Sequence, residues 1–548
     1  MASERASRQK AIPLMVRGSI AAIALVALAV SRLSLAANLP ESPREYVDSN
    51  FILPSGRTIA VPAGGNFQAA LHQARPGDVI TLEAGAVFRG PFTLPKKSSA
   101  GWIFIRTSAP DSDLPAAGIR VTPSHANTMP KLEAASGPII RAEAGAHHYR
   151  FVGIEIRPSE GNFLYNLVQL GYRERSLDDL PHHIIFDRCY LHGDPKRGSR
   201  RGIAMNSRHT AVIDSHLSDF KEVGADSQAI AGWNSPGPFR IENNYLEAAG
   251  ENVMFGGADP AIPDLVPSDI EIRRNHFSKP PAWRIGDPAY QGVPWTVKNL
   301  FELKNARRVL IEGNLFEHNW AHAQSGLAIL FTVRNQDGSA PWSVVEDVTF
   351  IHNIVRHAAS GIYILGRDDN HPSRQTKRIL IQNNLFDDIG GVKRGGGGRL
   401  FQMVQETEDV VIDHNTAFQS SNIITAEGRH NRFRYTNNIS LHNEYGMIGS
   451  GAGVGNPALT TYFPDAIVRR NVIIGGNAGH YPRDNFFPAS LDAVRFLGGG
   501  GSRYCLARSS RYKSAATDGK DVGVDFDALA AAMGKPQIGI HCYPASRR

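Results

Sequence analysis

Short runs of alternating apolar and polar residues, broken by Gly and Asn, recur along the chain from about residue 150 onward. The unit is two alternating apolar residues, a polar pair, Asn, and a second apolar pair. It reads IENNYL ending at Leu246, IRRNHF at Phe277, IEGNLF at Phe316, FIHNIV at Val355, IQNNLF at Phe386, and so on to VRRNVI at Ile473. Its Asn falls at 244, 275, 314, 353, 384, 415, 438 and 471, at spacings of 23 to 39 residues. Cys189 and Ser215 hold the same slot earlier. Period-2 alternation with so many Gly breaks excludes helical repeats and predicts a solenoid of short stacked strands. Asn suits the slot for two reasons: it tolerates a left-handed turn conformation, and stacked coil on coil it can satisfy turn amides in a ladder.

A second strand is expected after each Asn turn, at 166–171, 202–206, 228–233, 252–256, 300–305, 328–334, 361–366, 400–405 and 423–427. These should stack as one parallel sheet with strands about 4.8 Å apart. An amphipathic helix over 66–74, followed by a strand over 78–82, would plug the open end of the stack, where bare strand edges invite aggregation. A second helix over 524–534 should cap or flank the last coils.

The N-terminus reads as a targeting segment. Arg5, Arg8, Lys10 and Arg17 precede an apolar run over 19–30, with small residues at 34–37. The run is short for a membrane span, so a cleaved secretory signal is the expectation and an uncleaved anchor the alternative. The chain therefore divides into a leader, 1–37, and one domain, 38–548, with coils over about 138–480 and a capping segment after them. Membrane contact is expected only through the leader, the location is secreted or periplasmic, and the domain is expected to be a monomer. Residues 1–40 hold five Lys or Arg against one Glu, so the rest carries +3 rather than +7. That leaves no nucleic-acid footprint. Of three cysteines, Cys505 and Cys542 can bridge or remain free thiols, and Cys189 reads as core.

The coil pattern resembles the right-handed parallel β-helix of pectin-lyase-like proteins over most of the domain. This resemblance implies an all-β solenoid and is permissive about function, since that fold hosts lyases, hydrolases and non-catalytic adhesins.

Candidate chemistry lies in the stretch 299–334. Alternation sends Phe301 and Leu303 inward and Glu302 and Lys304 outward. It likewise sends Ile329, Phe331 and Val333 inward, with Leu330, Thr332 and Arg334 outward. Aligning Leu303 on Val333 puts Lys304 and Arg334 in one outer column, a cation pair that an anion between them would stabilise. The preceding coil offers Glu251 and Asn252 beside Glu302, a set of oxygen donors of the kind Ca²⁺ takes. Charge neutralisation plus proton abstraction is the chemistry of β-elimination at a uronate. The arrangement is similar to that of chondroitinase-B and alginate-lyase type β-helix lyases. That likeness implies Lys304 as base, Arg334 as acid or carboxylate clamp, and Ca²⁺ nearby. It departs from them in a longer Lys-to-Arg separation and in Lys298-Asn299-Leu300 where acids should precede Lys304.

Trp283, Trp295, Trp320 and Trp342 crowd the same region, and Trp295, Trp320 and Trp342 are expected to stack on sugar rings, with Glu302, Thr332 and Asn335 contacting substrate. The partner is thus an acidic polysaccharide. Two other readings stand beside the lyase: a non-catalytic envelope protein that holds glycan, and a glycoside hydrolase using Asp368 and Asp369. His318 and His322 have metal-like spacing but no clear third ligand.

Overall fold

The computed structural model describes residues 37–51, 54–498, 504–534 and 542. The expected leader, apart from Ala37, lies outside the described residues. No helix among the described residues is long and apolar enough to cross a membrane.

The chain winds into a right-handed parallel β-helix of three sheets, with 14, 13 and 12 strands. One coil shows the plan. Ala306–Glu312 lies in the first sheet, Gly313 and Asn314 turn the corner, Leu315–Asn319 lies in the second, and Leu327–Thr332 lies in the third. The chain then returns to the first sheet at Val345–Ile351. Each strand pairs in parallel with its counterpart on the next coil. The expected strands after the Asn turns form the third sheet, for example Gln228–Gly232, Glu251–Phe255 and Ser360–Leu365. Apolar residues fill the tube in continuous stacks, such as Phe277 on Phe316 with ring centroids 4.4 Å apart.

The ladder is present and continuous. The Asn314 amide donates to Oδ1 of Asn353 at 2.9 Å, and its Nδ2 donates to the Ile272 carbonyl at 2.8 Å. The same pattern runs from Asn244 to Asn471 and ends on Asn485. It begins with the hydroxyl of Ser215, which accepts from the Cys189 amide. The left-handed conformation, however, belongs to the residue before the Asn: Arg188, Asp214, Asn243, Arg274, Gly313 and His352 all have φ near +50 to +70°. The Asn is selected for its amide alone.

Helix Phe67–Gln73, capped by Asn66, plugs the first coils with Phe67, Ala70 and Leu71. Helix Phe526–Met533 caps nothing. It lies beside the middle coils, with Phe526 and Leu529 packed on Leu315, Ile354 and Leu385 of the second sheet. Cys505 and Cys542 are bridged, which closes this segment into a loop. Cys189 is a buried free thiol, pushed up to about 12 by burial.

Residues 37–51 form a strap along the outside of the first sheet. The amides of Asn38, Glu41 and Arg44 donate to Asp409, Asp347 and Asp269 at 2.7–2.9 Å. Val47 then packs on Ile185 and Ala211, and Arg150 donates to the carbonyls of Ser49 and Asn50. The acceptor aspartates sit on every second coil. Three residues of polyproline helix rise about 9.3 Å, close to two coils at about 4.8 Å, and Pro40 and Pro43 favour that conformation.

Candidate functional site

The third sheet presents an outer face on which ionisable groups from successive coils meet. Arg201, Gln228 and Glu251 are level on three coils. Arg201 Nε donates to Gln228 Oε1 at 2.8 Å, and Gln228 Nε2 to Glu251 Oε2 at 2.7 Å. The other oxygen of Glu251 has Lys298 Nζ at 3.7 Å and no hydrogen bond among the described residues. Lys298 itself is tied to Asp226 at 2.6 Å. Burial, then Asp226 and Glu302, push the Glu251 carboxyl up to about 6, against the opposing pull of Lys298 and Lys304.

Glu302 is buried, and its carboxylate accepts from Thr332 Oγ1 at 2.7 Å and Asn299 Nδ2 at 3.1 Å. Lys304 stands above it with Nζ 3.9 Å from Oε1, beyond hydrogen-bond reach. Among the described residues this ammonium makes no hydrogen bond, although its side chain is only 16% exposed. Gly256 makes room for it: a Cβ there would lie 2.8 Å from the Lys304 Cβ, and its φ of +95° is one that side chains resist.

The register places Leu303 on Phe331, not on Val333. Lys304 and Arg334 are therefore not the level pair expected from alternation, and their side chains have separate partners. Arg334 Nη1 holds Asp368 at 2.7 Å and also contacts Asp369. Its Nε and Nη2 make no hydrogen bond among the described residues, so the fork remains open toward solvent. Burial raises the Asp368 carboxyl, but hydrogen bonds from the Asn370 amide, Arg334 and the Asn335 amide outweigh it and hold Asp368 below the usual range. Both aspartates are thus committed to one guanidinium and do not form an acid–base pair. Tyr363 shares the outer column of Glu302 and Leu330; its phenol is raised by burial and by Asp369 while Arg334 lowers it.

Several expected contacts lie elsewhere. At the corner entering the third sheet two successive residues turn inward, as Leu300 and Phe301 do in the core. Asn252 occupies the first inward position. Its Nδ2 donates to the carbonyls of Leu246 and Ser278, and its Oδ1 accepts from the buried Lys279. It therefore does not join Glu251 and Glu302, which are themselves flanked by Lys298 and Lys304. This donor set does not fit Ca²⁺. Thr332 is spent on Glu302. Asn335 is buried, bonded to Asp368, Pro372 and Ala340.

Trp283, Trp295 and Trp320 form a buried cluster with Val297, and Lys221 lies over the first two at 5.3 Å. They anchor the 279–299 loop and are not sugar platforms. Trp342 is half-buried, its indole N–H donating to the Leu265 carbonyl at 3.1 Å. On that side Asp259 accepts from the Asp337 and Ser339 amides, joining two loops into a wall. His322 accepts from the Val297 amide while His318 stacks on His357, so these two do not converge. Lys298, Gln228, Asp226 and Tyr363 were not legible as site residues; Lys298 stands where an acid was expected, and its charge was the available signal.

No protein-family model matches the chain, and no protein of curated function matches it. Solved structures that match the chain include an alginate lyase from Paenibacillus sp. str. FPU-7, with 14% identity over 73% of this chain and 97% of that one, at a TM-score of 0.29. A mannuronic acid specific polysaccharide family 6 lyase from human gut microbiota aligns over 76% and 86%, at 11% identity and a TM-score of 0.49. A GH87 α-1,3-glucanase from Streptomyces thermodiastaticus aligns over 77% and 69%, at 12% identity and a TM-score of 0.48.

Proposed function

We propose that this is an exported protein whose third-sheet face binds an acidic polysaccharide and cleaves it by β-elimination. The observation that carries the reading is Lys304: a largely buried amino group that makes no hydrogen bond among the described residues, 3.9 Å from the buried Glu302 carboxylate, with the open fork of Arg334 on the next coil. Arg334, fixed through Nη1, receives the uronate carboxylate on Nε and Nη2 and so acidifies the α-proton. Lys304, as its free amine, takes that proton; the C–H electrons form the new double bond as the bond to the glycosidic oxygen breaks. Tyr363 returns a proton to the departing oxygen.

The test is an ultraviolet scan for unsaturated ends after incubation with pectate, alginate and chondroitin, with and without Ca²⁺. A signal that disappears in Lys304→Ala and falls at least tenfold in Tyr363→Phe supports the assignment. Silence across all three substrates, with retardation in a polysaccharide affinity gel, leaves the second reading, a non-catalytic glycan-binding protein. The Glu302–Lys304 approach favours that alternative, because an ammonium held by a carboxylate binds anions without accepting protons.

A further inference from the structure

The outer face of the first sheet carries five histidines on three consecutive coils, His147 and His148, His182 and His183, and His209. His147 is level with His182. The rings of His148 and His183 stack at 4.4 Å, those of His183 and His209 at 4.5 Å, and Trp102 meets His148 edge-on at 5.3 Å. A regular strand sends neighbouring side chains to opposite faces. Here a left-handed backbone at His148 and His183 (φ 60° and 54°) keeps both members of each pair on one face. Later coils use the same bulge for charge pairs, Asp269 with Arg308, Asp347 with Arg378 and Asp409 with Arg432. In this stretch imidazoles replace them.

Within each pair the rings turn Nδ1 to Nδ1, at 2.9 Å for His147–His148 and 2.7 Å for His182–His183. His148, His182 and His183 each bring one ring nitrogen within 4.8 Å of the other two, and among the described residues no other three His, Cys, Asp or Glu do so.

We propose that His148, His182 and His183 form a binding site for one transition-metal ion of the zinc class. A set of imidazoles without carboxylate or thiolate suits Zn²⁺, Cu²⁺ or Ni²⁺ and not Ca²⁺ or Mg²⁺. Two nitrogens bound tetrahedrally to one zinc lie roughly 3.3 Å apart, from Zn–N bonds of about 2.0–2.1 Å. The ion therefore takes the place of the proton shared by His182 and His183, opening that contact by about half an ångström. Rotation of the half-buried His148 ring, unstacking it from His183, brings in the third nitrogen, and water completes the shell. The ion would join two successive coils at the bulge position that later coils fill with ion pairs, and would add to the Arg150–Asp187 pair further along the same two strands.

The experiment uses the full chain without affinity histidines, stripped with chelator and titrated calorimetrically with Zn²⁺ alone, with Ca²⁺ as control. One equivalent of Zn²⁺ should bind, with affinity at least tenfold weaker in His148→Gln and no binding in the His182→Gln/His183→Gln double variant. Cu²⁺ should quench tryptophan fluorescence saturably at the same stoichiometry, and Trp102→Phe should remove most of that quench. No saturable Zn²⁺ uptake by the unaltered protein, or uptake undiminished in His148→Gln, overturns the proposal. If the double variant does not fold, His148→Gln and the Trp102 quench decide the matter.

Discussion

Nζ of Lys298 lies 3.7 Å from Oε1 of Glu251, and that oxygen, sealed from solvent, receives no hydrogen bond among the described residues. A buried carboxylate that keeps one oxygen unsatisfied beside a lysine is poorly stabilised as an anion, and its acidity is correspondingly weakened.

The sign of the resulting pH dependence follows directly. With its folded-state value near 6 against an ordinary 4.5, Glu251 in the fold retains a proton that the unfolded chain has released. Stability is therefore lost as pH rises between those values. Glu251→Gln should melt like the unaltered protein at pH 4 and be more stable at pH 7 by roughly 1–2 kcal/mol. Thermal melts across that range check it; a gap that does not change with pH rules the account out.

Gly256 is predicted to set the position of Lys304. Gly256→Ala drives a methyl group into the Lys304 Cβ and the Asn305 amide, both 2.8 Å from the added atom, and strains a backbone at φ +95°. If Lys304 is the base, turnover should fall at least tenfold while binding in the affinity gel changes little. Equal losses in both would place Gly256 outside catalysis.

Removing the guanidinium tests the Asp368 pair. Arg334→Met leaves a carboxylate that is 1% exposed without its cation. The expected cost is about 1–3 kcal/mol, below that of a fully buried pair because Arg334 is partly exposed. Adding Asp368→Asn should recover most of it in urea unfolding, since the Asn carbonyl can still accept from the Asn335 amide. No recovery would mean that the loss is one of packing.

Asn314→Ala should cost about 2–4 kcal/mol. It strands the buried amide of Asn275, which donates to Asn314 Oδ1 at 2.9 Å, and leaves the Ile272 carbonyl without its donor. Urea titration of this variant against Asn485→Ala, at the end of the ladder, should show the larger loss in the middle.

The fold was legible because its information is repeated: each coil restates the alternation and the Asn. The site is written only once. Whether Leu303 meets Phe331 or Val333 is a two-residue question that alternation cannot answer, because both choices keep the same residues inside. Asn252 misled for a related reason, since a corner with two inward residues breaks the period just where the strand begins. Trp295 and Trp320 show a third limit: an aromatic cluster in a long loop has the same composition whether it faces sugar or its own backbone. The outward placing of Glu302 was legible because it lies in the regular strand Phe301–Leu303, whereas Lys304 falls in the bend that follows, where alternation no longer fixes direction.

The strap adds a temporal constraint. Asn38, Glu41 and Arg44 precede their acceptors by 371, 306 and 225 residues. They leave the ribosome long before the coils bearing Asp409, Asp347 and Asp269 exist. The strap can thus seat from its Arg150 end as the coils form, and its first residue docks last: a chain interrupted before Asp409 has nowhere to seat Asn38. Closure of residues 37–51 is a mark of a completed solenoid, and an unfinished one would expose them to the first protease it met.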